Sequence, residues 1–218
     1  MTAVEMASRS TKQRLLEAGG EVFAEHGFRD ATVREICQRA GANIAAVNYH
    51  FGDKERLYAA VWQYAVACAI EKYPPHLRLS DDATAEERLD AFIQSFLLGI
   101  LDEGRPSWLG KLRAREMAEP TKVLDTLVEE AIRPRHALLM SIVRDLAGPG
   151  VSDEEIRLCA FSIVGQCLHY FHCQPVISRL YPQQKYGSDD IERLADHVTR
   201  FSLAALRHLS DEKRGDVR

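Results

Sequence analysis

The sequence predicts an all-α fold in two parts, a three-helix head over residues 1–56 and a helical bundle over residues 57–218. Three observations carry that prediction. Apolar residues recur at helical spacing through most of the chain. Period-two alternation and Asn-Gly turns, the marks of strands and hairpins, are missing from it. Two short helical patterns also meet at Gly41, with a third opening at Asp53, a compact unit set ahead of much longer helices.

Within the head, Thr32 is placed to cap a helix through its hydroxyl, with Glu35 three residues on to complete a capping box. Val33, Ile36, Cys37 and Ala40 form the apolar stripe of that helix. Gly41 supplies the left-handed residue that a tight helix–helix turn needs. Asn43 caps the next helix, Ile44 to about His50, with Ile44, Val47 and Phe51 expected inward. Ala45, Ala46, Asn48, Tyr49 and His50 form its other face. Gly52 ends it and Asp53 caps a further helix. Lys54 in the first turn of that helix is unfavourable on dipole grounds, but intelligible if it faces a phosphate with the neighbouring backbone N–H groups.

Two helices joined by a glycine turn, the second backed by apolar residues and faced with small and polar ones, make a helix-turn-helix. Its second helix suits the major groove, where base edges present a readable code. The expected partner is therefore a double-stranded DNA operator. A core three-helix unit with an ordinary surface is the alternative, with Asn43 only a cap and His50 packed under Lys54.

From about Lys12 to Tyr64 the chain resembles the TetR family of bacterial transcriptional regulators. The resemblance rests on Leu15, Leu16, Ala18, Val22 and Phe23, then His26-Gly27-Phe28, Thr32 to Ile36, Ala40-Gly41, and Tyr49 to Leu57. Carried over by position, it implies DNA contacts from Thr32, Arg34, Asn43, Ala45, Ala46, Asn48, Tyr49, His50 and Lys54. The family often has a tyrosine where this chain has Asn48, and a lysine or arginine near Ile44. Both departures imply an operator of its own.

Charge supports this reading only through its distribution. The net charge is −4 with 28 basic and 32 acidic side chains, while residues 1–56 balance to zero. Arg9, Lys12, Arg14, Arg34, Arg39, Lys54 and Arg56 are the cations available there for phosphates, so binding is expected to need dimerisation and base contacts besides counterion release. Apolar residues make up 46% of the chain, enough for a sizeable core. No run approaches the roughly 18 apolar residues of a membrane span, and residues 1–10 lack the pattern of a signal peptide. Five cysteines without scaffold spacing fit a reducing compartment, so the expected location is cytoplasmic.

Beyond the head the expected helices run from Lys54 to Tyr73, stopped by Pro74-Pro75; from Glu86 to Glu103, broken by Gly104 and Pro106; from Ser107 to Glu119; and from Thr121 to Leu146, interrupted at Pro134. Ser152 or Asp153 caps the next, which reaches about Cys173 and ends at Gln174-Pro175. A loop follows, then a last helix from Asp189 to Leu209 and a fraying tail from Asp211. The two long helices at 156–171 and 191–206 are apolar over more than one face, which predicts a homodimer through an isologous contact. A wholly intramolecular core is the alternative. Members of the resembled family dimerise through the equivalent pair. Arg115-Glu116-Met117 with Pro120-Thr121, Ile132-Arg133-Pro134 and Ser162 to Cys167 further resemble the C-terminal domain of the YbiH (CecR) branch, which implies a ligand-responsive body without fixing the ligand.

No Gly-rich phosphate loop, nucleophile elbow or metalloprotease motif is present, so neither an enzyme nor a cofactor is expected. An unknown small-molecule effector would take a pocket between helices, with candidates Phe92, Phe96, Trp108, Leu112, Met117, Leu139, Val143, Gln166 and Tyr170, each otherwise ordinary core. Arg113, Arg115 and Glu116 read as surface charges or helix-pair salt bridges. Cys167, His169, His172 and Cys173 offer a metal-like or redox cluster near the end of one helix; lining the bundle or the dimer interface is the competing reading, and no metal is expected. The function expected is a ligand-responsive transcriptional regulator, a repressor released from a palindromic operator by its effector. An activator, or a metal- or redox-responsive regulator, is the alternative.

Overall fold

The computed structural model describes residues 10–74, 79–80, 82–102 and 108–215, and among these the chain is helical without strands. The described residues pack in two groups, 10–68 with 108–130, and 69–102 with 131–215.

In the first group, α1 (Thr11–Asp30) is capped by Ser10 and bends at Gly27, whose φ of 77° only glycine adopts readily. α2 (Val33–Ala40), α3 (Ile44–His50) and α4 (Lys54–Lys72) follow, joined at Gly41 and Gly52, both at positive φ. Gly41 is left-handed at φ 59°, ψ 41°, as the tight turn requires. α6 (Trp108–Ala118) packs on α1 rather than with the later helices. Its Trp108 ring covers Gly20 so closely that an added Cβ there would lie 2.4 Å from the indole. Leu15, Val22, Phe23, Ile36, Val47, Leu57 and Trp62 form this core together with Trp108, Leu109 and Leu112. The division expected at residue 56 thus falls inside α4, and the packing draws in a helix that the sequence placed with the bundle.

The second group is built on α5 (Ala85–Leu101), α8 (Arg133–Ala147), α9 (Asp153–His172) and α11 (Ser188–Gly215), around Leu89, Ile93, Leu97, Leu139, Ile142, Ile156, Ile163 and Ile191. Thr84 and Ser152 each close a full capping box, with Glu87 and Glu155. Pro134 falls where an interruption was expected. α7 (Val123–Leu127) widens into a π-turn over Val128–Ile132 just before it. Proline offers no N–H to the carbonyl four residues back and its ring crowds that carbonyl, and a widened turn accommodates both.

Two departures from the sequence reading are local. The chain after Cys173 is not all loop, because α10 (Gln174–Leu180) begins with Pro175 in its first turn. A proline that ends one helix also starts another well, since first-turn N–H groups have no partner inside the helix. The last helix runs on to Gly215 instead of fraying at Asp211. Lys213 pairs with Glu155 at 3.0 Å, and that contact fastens the extra turn. The expected stops at Pro75, Gly104 and Pro106, the start at Ser107 and the Arg9 cation lie outside the described residues.

Candidate nucleic-acid interface and effector region

The helix-turn-helix is fixed by its caps. Thr32 Oγ1 accepts from Glu35 N at 3.2 Å, Asn43 Oδ1 from Ala46 N at 2.9 Å, and Asp53 Oδ1 from Arg56 N at 2.8 Å. The capping box expected at Thr32 is only half formed. The Glu35 carboxylate turns to Arg39 at 2.9 Å, and to His26 at 3.2 Å. A charge-assisted bond is stronger than one to a neutral N–H, so the ionic partner wins.

α3 is anchored from behind by Val47 and Phe51, both buried. Ile44, expected inward, is 51% exposed. At 100° per residue it lies about 60° from Val47 and about 40° from Asn48, on the outer edge of the buried side, so the outward face is Ile44, Ala45, Asn48 and Tyr49. Tyr49 is 84% exposed. Ala46 and His50 flank that face half-buried, Ala46 against the core and His50 edge-on to Tyr49 at 5.0 Å. Thr32, Arg34 and Asn43 are exposed at the start of their helices.

The cations divide into two sets. Arg14 Nε donates to the Ala40 carbonyl at 3.0 Å, closing the end of α2. Arg39 makes a fork on Glu25, at 3.0 and 2.9 Å, besides its bond to Glu35. The Arg39 hydrogen bond holds the Glu25 carboxyl below its usual range. These two arginines are structural, which removes them from the phosphate contacts the sequence allowed. Glu25, His26 and Glu35 come close enough to hold a metal ion, but the Arg39 guanidinium already engages both carboxylates. Lys12 and Arg34 stay exposed. Lys54 Nζ donates to the Arg29 carbonyl at 3.0 Å and stands 4.9 Å over the Phe28 ring. An ammonium has three protons, so this anchorage leaves others to offer.

α6 supplies residues that the sequence reads as surface charges or helix-pair salt bridges. Arg115 donates to the Ala24 and Glu25 carbonyls at 2.9 and 2.6 Å, tying down α1 just before its Gly27 bend. Glu116 is 1% exposed and accepts from Tyr58 and Thr121.

The nine effector candidates fall in three places. Trp108 and Leu112 are core of the first group, and Met117 is exposed on α6. Phe92, Leu139 and Val143 are buried in the second core, with Phe96 partly buried against it. Gln166 and Tyr170 line a shallow hollow of about 340 Å³ with Gly165, His169, His197 and Val198. Neither group gathers all nine into one lining. Beside Phe92 and Phe96 the structure places a residue that the sequence reading passed over, Arg135. An arginine one turn before Leu139, in register with Ile142 and Val143, was the available signal.

Among the described residues, Cys167, His169, His172 and Cys173 are not brought together as a ligand set. Cys167 is buried and its thiol is pushed up to about 12 by that burial, while His169 and His172 point to the surface. A thiol held protonated is a poor metal ligand and a poor redox nucleophile.

A helix-turn-helix head joined to a helical domain is the build of a DNA-binding transcriptional regulator, and comparison with known proteins agrees. Residues 15–61 match the model of bacterial regulatory proteins of the tetR family, and residues 85–206 match the C-terminal domain of the HTH-type transcriptional dual regulator CecR. CecR from Shigella flexneri is 30% identical over 176 residues, 77% of this chain and 78% of that protein. The repressor AcnR from Corynebacterium efficiens matches 52 residues at 42% identity, 24% of this chain and 28% of that protein. Among solved structures, a transcriptional regulator from Pseudomonas aeruginosa PAO1 superposes with TM-score 0.68 at 22% identity, over 94% of this chain and 98% of that one. FadR from Bacillus subtilis, solved with stearoyl-CoA, gives 0.65 at 18% identity, over 88% and 97%. The chain belongs to the TetR family of transcriptional regulators, with a CecR-type C-terminal domain. Its curated relatives are regulators and not enzymes. Among the described residues, no helix is long and apolar enough to cross a membrane.

Proposed function

We propose that the chain is an effector-responsive repressor, acting in the cytoplasm as a homodimer on a palindromic operator and released from it by a small molecule. The observation that carries this reading is the outward face of α3. Ile44, Ala45, Asn48 and Tyr49 are presented to solvent by a helix whose back is locked by Val47 and Phe51. Base contacts would come from that face, with Thr32, Arg34, Asn43, Ala46, His50 and Lys54 around it for the groove edge and phosphates. Ile44 and Ala45 suit thymine methyl groups, and Asn48 and Tyr49 suit hydrogen-bonding edges.

The dimer is supported by an apolar stripe on α9 and α11. Leu158, Phe161 and Phe201 are each more than half exposed, and an added Cβ at Gly165 would meet nothing within 4 Å. Apolar surface of that kind on paired helices fits an isologous contact with a second copy. An effector domain is supported by the CecR-type match and by the acyl-CoA bound to the B. subtilis FadR. Differential affinity of the effector for two states of the dimer would lower affinity for DNA.

The test is selection of bound duplexes from a random library by the full chain, with sedimentation at micromolar concentration. A palindromic consensus and a dimer that Phe161→Asp converts to monomer are expected. A monomeric wild type, or no enriched sequence, overturns the reading. The S. flexneri relative is a dual regulator, which favours a second reading in which the same dimer activates at some sites. Reporter fusions to the selected sites distinguish the two.

A further inference from the structure

Among the described residues, Arg135 is a cation without an anion. It lies half-buried in the first turn of α8, on the stripe that continues through Leu139, Ile142 and Val143 into the core. Its Nη2 donates to Ser95 Oγ at 3.2 Å, and that hydroxyl donates in turn to the Tyr73 carbonyl at 2.7 Å. The guanidinium carbon stands 5.8 Å from the Phe92 ring centre and 5.4 Å from that of Phe96. Nε is sealed from solvent and meets no acceptor among the described residues. No described carboxylate forms an ion pair with it, whereas Arg39, Arg88, Arg144 and Arg207 each have one.

Removing a guanidinium from water is costly, and proteins normally offset that cost with a carboxylate. Here the cation has one neutral hydroxyl and two aromatic faces, which attract it but leave it without a counter-charge among the described residues. Burial pulls its pKa down, and no neighbouring charge among the described residues offsets that. A methionine in this place would pack as well without the penalty. A desolvated, planar, five-donor group flanked by aromatic rings is what recognition of a planar anion on an apolar body requires.

We propose that Arg135 is the anion-recognising residue of the effector site, and that the effector is an amphipathic organic anion. Its carboxylate or phosphate pairs with the guanidinium and its apolar part lies along Phe96. Ser95 positions the guanidinium through Nη2 and leaves the remaining donors to the ligand. Phe92 and Leu139, which are fully buried, support the site from beneath. The proposal rests on the reading of residues 69–102 and 131–215 as an effector domain. It adds the ligand's charge sign and the residue that reads it.

The test is calorimetric titration of the full chain, without DNA, with octanoate, octyl phosphate and the neutral octanamide. At least one anion binds wild type saturably, about tenfold or more tighter than the amide, and the stronger of the two identifies the head group. Arg135→Met removes that preference while the melting temperature of the unliganded protein stays the same or rises, because a desolvated cation is gone. Arg135→Lys keeps part of the preference. Anions binding no tighter than the amide to wild type overturn the proposal whatever the variants do. An anion preference unchanged in Arg135→Met overturns it equally. Release of operator DNA is measured separately. An Arg135-dependent anion that binds but releases nothing upholds the site and overturns the effector role instead.

Discussion

Tyr58 on α4 donates a 2.6 Å hydrogen bond to the Glu116 carboxylate on α6, inside the core of the head. The other Glu116 oxygen accepts from the Thr121 backbone N–H at 2.8 Å and from its hydroxyl at 2.9 Å. A buried carboxylate is tolerated when its lone pairs are occupied, and here both oxygens are. Burial, with Glu116 adding to it, pushes the Tyr58 hydroxyl well above its usual range, so the phenol stays a donor. Glu116 thus ties α4, α6 and the turn after α6 together, and Tyr58 belongs to the core that backs the helix-turn-helix.

Removing the phenol should therefore cost more than its packing. Tyr58→Phe preserves the ring against Phe23, 4.7 Å away, and leaves one carboxylate oxygen without a donor. We expect a loss of about 1–3 kcal/mol in urea unfolding, and a smaller loss for Glu116→Gln, whose amide still accepts a bond. Wild-type stability in Tyr58→Phe would mean that the bond contributes nothing net.

Gly20 should be intolerant of any side chain. The methyl of Gly20→Ala would sit 2.4–2.6 Å from three atoms of the Trp108 indole. Elsewhere in a helix that substitution stabilises by up to about 1 kcal/mol; here overpacking should reverse the sign and destabilise by about 1–3 kcal/mol. Pairing it with Trp108→Leu should recover part of the loss, because the two sites touch. Strict additivity of the two losses would show that the ring is not what the methyl meets.

The front and back of α3 should separate function from stability. Tyr49→Ala touches a side chain that is 84% exposed, so its melting temperature should match wild type while operator affinity falls about tenfold or more. Val47→Ala removes buried volume and should lower stability by about 1–3 kcal/mol. A gel shift of Tyr49→Ala at wild-type affinity would remove this face from the interface.

What the sequence showed follows the range of the interactions involved. The caps at Thr32, Asn43, Asp53 and Ser152 and the turn at Gly41 depend on neighbours within a few residues, and all are found. Ile44 was misplaced because a period-three stripe does not say where its edge falls. That edge is set by what packs behind Val47. The anchoring roles of Arg14, Arg115 and Glu116 are not legible in the sequence because their partners, Ala40, Ala24 and Tyr58, are 26, 91 and 58 residues away. The same distance hid the place of α6 on α1. The Pro175 start of α10 was not legible from the proline alone, since the same residue marks a stop and a first helical turn.

Acid should loosen the junction of α9 with the end of α11 through Glu155. The Ser152 backbone N–H, the Ser152 hydroxyl and the Lys213 ammonium, in that order, hold its carboxyl down from 4.5 to about 2. A carboxyl more acidic in the folded chain than in the unfolded one stabilises the fold above the unfolded value. That contribution drains away as pH falls towards the folded value. The window is therefore pH 4.5 down to about 2. Glu155→Gln cannot titrate, so it should melt below wild type near neutrality, and the gap should close as pH falls through that window. Melting curves collected from about pH 7 to pH 2 read the effect directly. A gap that stays constant across the window would mean that the Glu155 charge contributes nothing and that the cap acts only as a neutral hydrogen-bond partner.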